Sequence, residues 1–181
     1  MSLLESGGAQ DFERAATAPA VLVSRGFDRV RGRLSITPVD IDPGLSTLPA
    51  VWVDARRIEQ VIANLVDNAI KYAPGSAVRI SGAGTDAGRI VELWVDDQGP
   101  GISADDLAHL FDRFYRGRSP QRTDVPGTGL GLAIARTIVE GHGGQIWAEN
   151  RSAGGARFAL TLPVASSTHG RRRRIQRAEQ G

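Results

Sequence analysis

The strongest periodic signal in the chain is a run of apolar residues at Ile58, Val61, Ile62, Leu65, Val66 and Ala69. Their i, i+3, i+4, i+7 spacing gives one buried face of a helix over residues 56–72. Asp54 stands where an N-cap belongs, and Pro74-Gly75 ends the element. A second helix is expected from Pro19 to about Arg33, with Val23, Phe27 and Val30 on one side and Gly26 weakening it. A short helix is expected at Ala104–Phe111. Another should span about Leu130–His142, with Leu130, Ile134 and Ile138 inward, an Arg136–Glu140 pair outside and Gly143-Gly144 closing it. Strand patterns occupy Leu34–Ile41, Val51–Val53, Ala77–Ala83, Arg89–Val95, Gln145–Asn150 and Ala156–Leu162. Several are sequence neighbours joined by short turns. The pattern therefore predicts an α/β (α+β) two-layer sandwich, with a mixed, mostly antiparallel sheet of five to six strands and about three helices on one face. A doubly wound dinucleotide fold is excluded, because alternating βα units and a glycine-rich turn after the first strand are both missing.

Composition narrows the chemistry. With 181 residues, one domain is expected, here residues 19–165 between an N-terminal segment 1–18 and a tail 166–181. There is no cysteine, and His109, His142 and His169 stand far apart, so neither disulfides nor a histidine-thiolate metal site is expected. The five arginines and one glutamate of residues 171–181 carry +4, while the whole chain carries only +2. The body is thus acidic by two charges, nucleic acid is not an indicated partner, and the arginine run reads as a solvated tail. All 22 basic residues except Lys71 are arginine. No apolar stretch is long enough for a membrane helix, so the chain as given is expected to be soluble.

Four constellations could carry chemistry. On the helix of residues 56–72, Asn64, Asn68 and Lys71 form a stripe roughly 120° round from the centre of the apolar face. Amide oxygens there suit Mg²⁺, and an ammonium suits phosphate. A solvated polar face would look the same. Asp96-Asp97-Gln98-Gly99-Pro100-Gly101-Ile102 follows a strand, and a carboxylate held at such a turn can accept from an exocyclic amine. A plain strand-to-helix turn is the alternative. Gly127-Thr128-Gly129-Leu130-Gly131-Leu132 runs into a helix, where converging N–H groups and the helix dipole would hold di- or triphosphate, or would simply form a hinge. It is not a Walker loop, because no Gly-Lys-Ser/Thr follows. In Leu110-Phe111-Asp112-Arg113-Phe114-Tyr115-Arg116 the aromatics could cap a base or merely pack under the following loop. Arg116, Arg118 and Arg122 could neutralise a γ-phosphate or be surface arginines.

In this order and spacing the four resemble the N, G1, F and G2 boxes of sensor histidine kinases, carried by Asn64–Tyr72, Asp97–Ile102, Leu110–Arg116 and Gly127–Leu132. The segments Gly141–Trp147 and Gly154–Phe158 look like that family's closing strands, and the resemblance covers about Val21 to Pro163. It implies the Bergerat-type ATP-binding sandwich shared with Hsp90, type II topoisomerases and mismatch-repair ATPases. By the resemblance Asp97 would bind the adenine amine, with Gly99, Gly101 and Ile102 beside it. Asn68 would hold Mg²⁺ and Asn64 would line the same wall. Lys71 and Tyr72 would contact phosphates or ribose, with Phe114 at the nucleotide. Gly127 and Thr128, with the backbone amides of Gly129, Leu130, Gly131 and Leu132, would cradle phosphate below a lid of about residues 112–126. Asn64, Asn68, Lys71 and Arg116 are the implied catalytic set, and ATP and Mg²⁺ the implied cofactors.

The implied reaction is transfer of the γ-phosphoryl of Mg·ATP to a histidine on a separate dimerisation hairpin, in two-component signalling. Hydrolysing relatives, and the serine kinases that restrain sigma factors, carry a glutamate base where Asn64 stands here, so slow hydrolysis is expected. None of the three histidines fits the acceptor motif, so the chain is not expected to label itself. Residues 1–18 are read as a linker or as a remnant of the hairpin, with Met1–Gly8 as its last part. The expected partners are that hairpin and a response regulator. The full-length protein is expected to be a membrane-anchored homodimer in the bacterial cell membrane, with this domain cytoplasmic and, when isolated, monomeric. A sigma-factor serine kinase, a gyrase- or Hsp90-type ATPase and a degenerate nucleotide-binding scaffold stand as alternatives.

Overall fold

The computed structural model describes residues 12–33, 37–117 and 128–166. Along them run β1 (Ala15–Thr17), α1 (Pro19–Asp28), β2 (Val39–Ile41), β3 (Val51–Val53), α2 (Ala55–Tyr72), β4 (Val78–Thr85), β5 (Ile90–Asp96), α3 (Ala104–His109), α4 (Gly131–Gly141), β6 (Ile146–Asn150) and β7 (Ala156–Pro163), with three short 3₁₀ turns between them. Five strands form one sheet in the order β2-β4-β5-β7-β6. Only β2 and β4 pair in parallel; the other neighbours are antiparallel. β1 and β3 make a separate antiparallel pair, which a bridge between Val51 and Val164 ties to the end of β7.

Alternation along the strands makes the two layers. Val78 and Ile80 on β4, Val91, Leu93 and Val95 on β5, and Phe158, Leu160 and Leu162 on β7 are all buried. They meet Ile58, Val61, Ile62, Leu65, Val66 and Ala69, the apolar face of α2, and α1 and α4 pack on either side of that helix. Burying side chains of this size contributes about 1.5–3 kcal/mol each before chain entropy is charged against it. The helices therefore cover one face of a mixed sheet, an α/β sandwich as the pattern predicts.

Capping fixes where α2 begins. The Asp54 carboxylate accepts from the Arg57 N–H at 3.2 Å, and the Asp54 N–H itself donates to His142 Nε2 at 3.0 Å. Because a backbone N–H can only donate, Nε2 must be unprotonated, and Nδ1–H donates to the Ile138 carbonyl at 2.7 Å. His142 is thus a buried neutral imidazole that locks the end of α4 to the start of α2, and burial pushes its pKa down.

Four expectations change. α1 stops at Asp28, and a 3₁₀ turn covers Arg31–Arg33. The strand expected over Leu34–Ile41 is confined to Val39–Ile41, residues 34–36 lying outside the described ones. The N-terminal segment contributes a strand, β1, that the pattern does not show. On α4 the buried residues are Ala133, Ala135, Ile138 and Val139, while Ile134 is 41% exposed. Ala135, Ile138 and Val139 set the buried face, and Ile134 lies about 100° round the helix from Ala135, at the edge of that face.

Candidate functional site

Three segments that are distant in sequence meet at one cavity of about 500 Å³. α2 supplies Asn64, Asp67, Asn68, Lys71 and Tyr72, all half-buried beside the apolar face. The stretch after α3 supplies Leu110, Tyr115, Arg116 and Gly117, and the entry into α4 supplies Thr128, Gly129, Gly131 and Leu132.

The two amides of α2 differ in their bonding. Asn64 Nδ2 donates to the Gly131 carbonyl at 3.1 Å, tying α2 to the first residue of α4. The Asn68 side chain accepts and donates no hydrogen bond among the described residues and faces the cavity. Lys71 forms an i,i+4 ion pair with Asp67. Across the cavity, the Phe114 N–H donates to the Gly129 carbonyl at 3.1 Å, joining the two loops. Gly129 has φ +69°, and a Cβ there would lie 2.8 Å from the Phe114 carbonyl carbon, so this joint requires glycine. The first N–H groups of α4 have no intrahelical partner, and Gly131 and Leu132, which carry two of them, line the cavity.

Asp97 stands in the turn after β5, off the cavity lining. It is 5% exposed, and its Oδ1 accepts from the Gly99 N–H at 2.8 Å and the Ala156 N–H at 3.1 Å. No hydrogen bond reaches Oδ2 among the described residues. The turn abuts the end of α2: a Cβ on Gly99 would meet Ala73 Cβ at 2.7 Å and the Tyr72 carbonyl at 3.3 Å. Asp96 belongs elsewhere, in a two-pronged pair with Arg157 at 2.7 Å and 2.7 Å.

Of the residues expected from the sequence, Asn64, Asn68, Lys71, Tyr72, Arg116, Thr128, Gly129, Gly131 and Leu132 come together here. Asp97, Gly99, Gly101 and Ile102 do not line the cavity, and Ile102 is core, its N–H and C=O both bonded to the Asn150 side chain at 2.8 and 2.7 Å. Phe114 and Leu130 are turned away. They line a second cavity of about 320 Å³ with Arg57, Arg113 and Ile134, and Phe114, at φ +64°, is 71% exposed. Its left-handed backbone sends the ring outward while the next residue, Tyr115, points in. Gly127, Arg118, Arg122 and most of the expected lid lie outside the described residues. From the sequence, Leu110 and Tyr115 stand out only as members of the Leu110–Arg116 segment, and Asp67 and Gly117 are not singled out; the i,i+4 spacing of Asp67 to Lys71 is the available signal for Asp67.

The residues present fit Mg·ATP. The cavity is of nucleotide size, an unengaged amide and an ammonium line one wall, and a helix start lined by glycines faces them. Among the described residues no group of three or more His, Cys, Asp or Glu could hold a metal by itself.

The family model described as histidine kinase-, DNA gyrase B- and HSP90-like ATPase matches residues 53–166, and the chain belongs to that family. Within it, fold and relatives define the ATP-binding catalytic domain of sensor histidine kinases. The signal transduction histidine-protein kinase AfsQ2 of Streptomyces coelicolor is 48% identical over 154 residues, 76% of this chain and 28% of the relative. The adaptive-response sensory kinase SasA of a Nostoc species is 40% identical over 121 residues, 66% of this chain and 29% of the relative. Among solved structures, the mycobacterial sensor histidine kinase MprB superposes with a TM-score of 0.70 at 29% identity, covering 84% of this chain and 98% of that one. Full-length ShkA in complex with AMPPNP gives 0.70 at 26% identity, covering 88% of this chain and 33% of that one. The chain therefore spans less than a third of the length of the curated relatives named here.

Proposed function

We propose that this domain binds Mg·ATP in the cavity between α2 and α4 and presents the γ-phosphoryl to a histidine on a separate helical hairpin. The observation that carries the reading is Asn64. It stands on the cavity wall with its amide tied to Gly131, where a hydrolysing relative would carry a glutamate. An amide cannot take a proton from water. The carboxylate that does line the cavity, Asp67, is committed to Lys71. Asp97 offers Oδ2 to the adenine amine, Asn68 offers its oxygen to Mg²⁺, and the N–H groups of Gly131 and Leu132 and the cations of Lys71 and Arg116 face the phosphates. Bound Mg·ATP supplies the phosphoryl group and neutralises part of its charge. The protein's share is positioning and electrostatics. In ThkA a related kinase has been captured with the response regulator TrrA, which supports a response regulator as the downstream partner here. No described helix is long and apolar enough to cross a membrane. Membrane anchorage belongs to the proposal for the longer protein.

The test supplies the histidine-bearing hairpin of a sensor kinase in trans with labelled ATP. Acid-labile label on the hairpin and none on this chain is the expected result. Steady phosphate release without any acceptor would instead favour the ATPase reading.

A further inference from the structure

Asp106 is a carboxylate at 1% exposure on α3, a six-residue helix outside all four motifs that define the cavity. Its N–H is capped by Ser103 Oγ at 3.1 Å, and its Oδ1 accepts from the Tyr115 hydroxyl at 2.9 Å. Burying a carboxylate is expensive, and a pure helix cap is normally solvated. The sequence places two acidic residues in the first turn of α3, where Asp105 is exposed and would satisfy the helix dipole alone. What Asp106 adds is its grip on Tyr115.

Tyr115 is well placed to use that grip. Its ring lines the cavity, its neighbour Arg116 lines it too, and its carbonyl lies against Gly129, where a Cβ would come within 2.9 Å of it. The Phe114–Gly129 hydrogen bond closes the same joint. A hydroxyl fixed at one end and a backbone fixed at the other leave the tyrosine little freedom to swing. Resting on the nucleotide reading above, we infer that Asp106 is a positioning residue: through the Tyr115 hydroxyl it holds the segment 114–117 against the glycine entry of α4, and so sets Arg116 and the loop amides for the ATP phosphates.

The test is a double-mutant cycle on the 181-residue chain, reading Mg·ATP affinity by calorimetry and unfolding temperature in parallel. Tyr115→Phe keeps the ring and removes only the hydroxyl. Asp106→Ala removes the acceptor, and Asp106→Asn keeps one. Loss of a single buried hydrogen bond should raise Kd by about tenfold in Tyr115→Phe and in Asp106→Ala. The double variant should be no weaker than either single one, and Asp106→Asn should stay within about twofold of the parent, because its amide oxygen still accepts. Unchanged Kd in Tyr115→Phe with a lowered unfolding temperature would make the contact merely structural and overturn the inference. Additive losses would overturn it as well, by showing that the two side chains act separately. If Asp106→Ala does not fold, Tyr115→Phe against Asp106→Asn decides alone. A parent chain that binds no Mg·ATP would sink the nucleotide reading and this inference together, whereas binding with additive losses would sink only the inference.

Discussion

Asn64 and Asn68 are one turn apart on the same helix and do different work. Asn64 spends its amide on the backbone of Gly131, so Asn64→Ala should loosen the entry to α4 and weaken Mg·ATP and ADP alike. Asn68 makes no such bond, so Asn68→Ala should remove the Mg²⁺ dependence of ATP binding while leaving the unfolding temperature within about 2 °C, as for a substitution that breaks no buried contact. Comparing titrations with and without Mg²⁺ separates the two. His142 gives a pH signature. Burial holds its folded pKa below the unfolded value of about 6.5, so the unfolded chain binds the extra proton more readily. The stability this confers is complete above the unfolded pKa and is lost as pH falls through that value towards the lowered one. Unfolding temperature should therefore drop between pH 7.5 and 5.5, and His142→Gln should flatten that slope. Parallel slopes would show that other groups carry it.

At the scale of elements, α2 depends on its first residue. Asp54→Ala removes the cap on Arg57 and should cost about 1 kcal/mol, measured by urea unfolding. The turn between β6 and β7 is tighter. Gly155 has φ +82°, and a Cβ there would come within 2.0 Å of the Asp97 carbonyl oxygen. Gly155→Ala should therefore cost about 2 kcal/mol or more and displace Asp97, so that ATP affinity falls with stability. The same elements show what a sequence reveals. α2 is legible because 18 residues repeat one period and both ends carry stop signals. β1 is not, since Ala-Ala-Thr has no alternation and becomes a strand only by pairing with Val51–Val53. The inward face of α4 was misjudged because several apolar residues in a row support more than one helical face, and only the neighbours choose.

Across the whole molecule, the cavity walls were readable and their closure was not. Residues 64–72 and 128–132 lie in contiguous motifs, so side-chain type and helical angle suffice to propose them. Tyr115 and Phe114 are adjacent aromatics, and a positive φ at one of them decides which enters the cavity, a tertiary fact set by the joint with Gly129. The sheet order β2-β4-β5-β7-β6 puts the Asp97 turn at the end of the central strand, against the β6–β7 turn and the end of α2. A turn that begins 26 residues beyond Lys71 in sequence is thereby brought against Tyr72 and Ala73 at the end of α2. The proposed Mg·ATP site uses Asn68 on the cavity wall and Asp97 in the turn beside the end of α2. Calorimetric titration of ATP into the chain, with and without Mg²⁺ and beside Asp97→Asn and Asn68→Ala, tests it most directly. The expected results are binding by the parent, none measurable for Asp97→Asn, and binding indifferent to Mg²⁺ for Asn68→Ala. Absence of binding by the parent, or full binding by Asp97→Asn, would contradict the proposal.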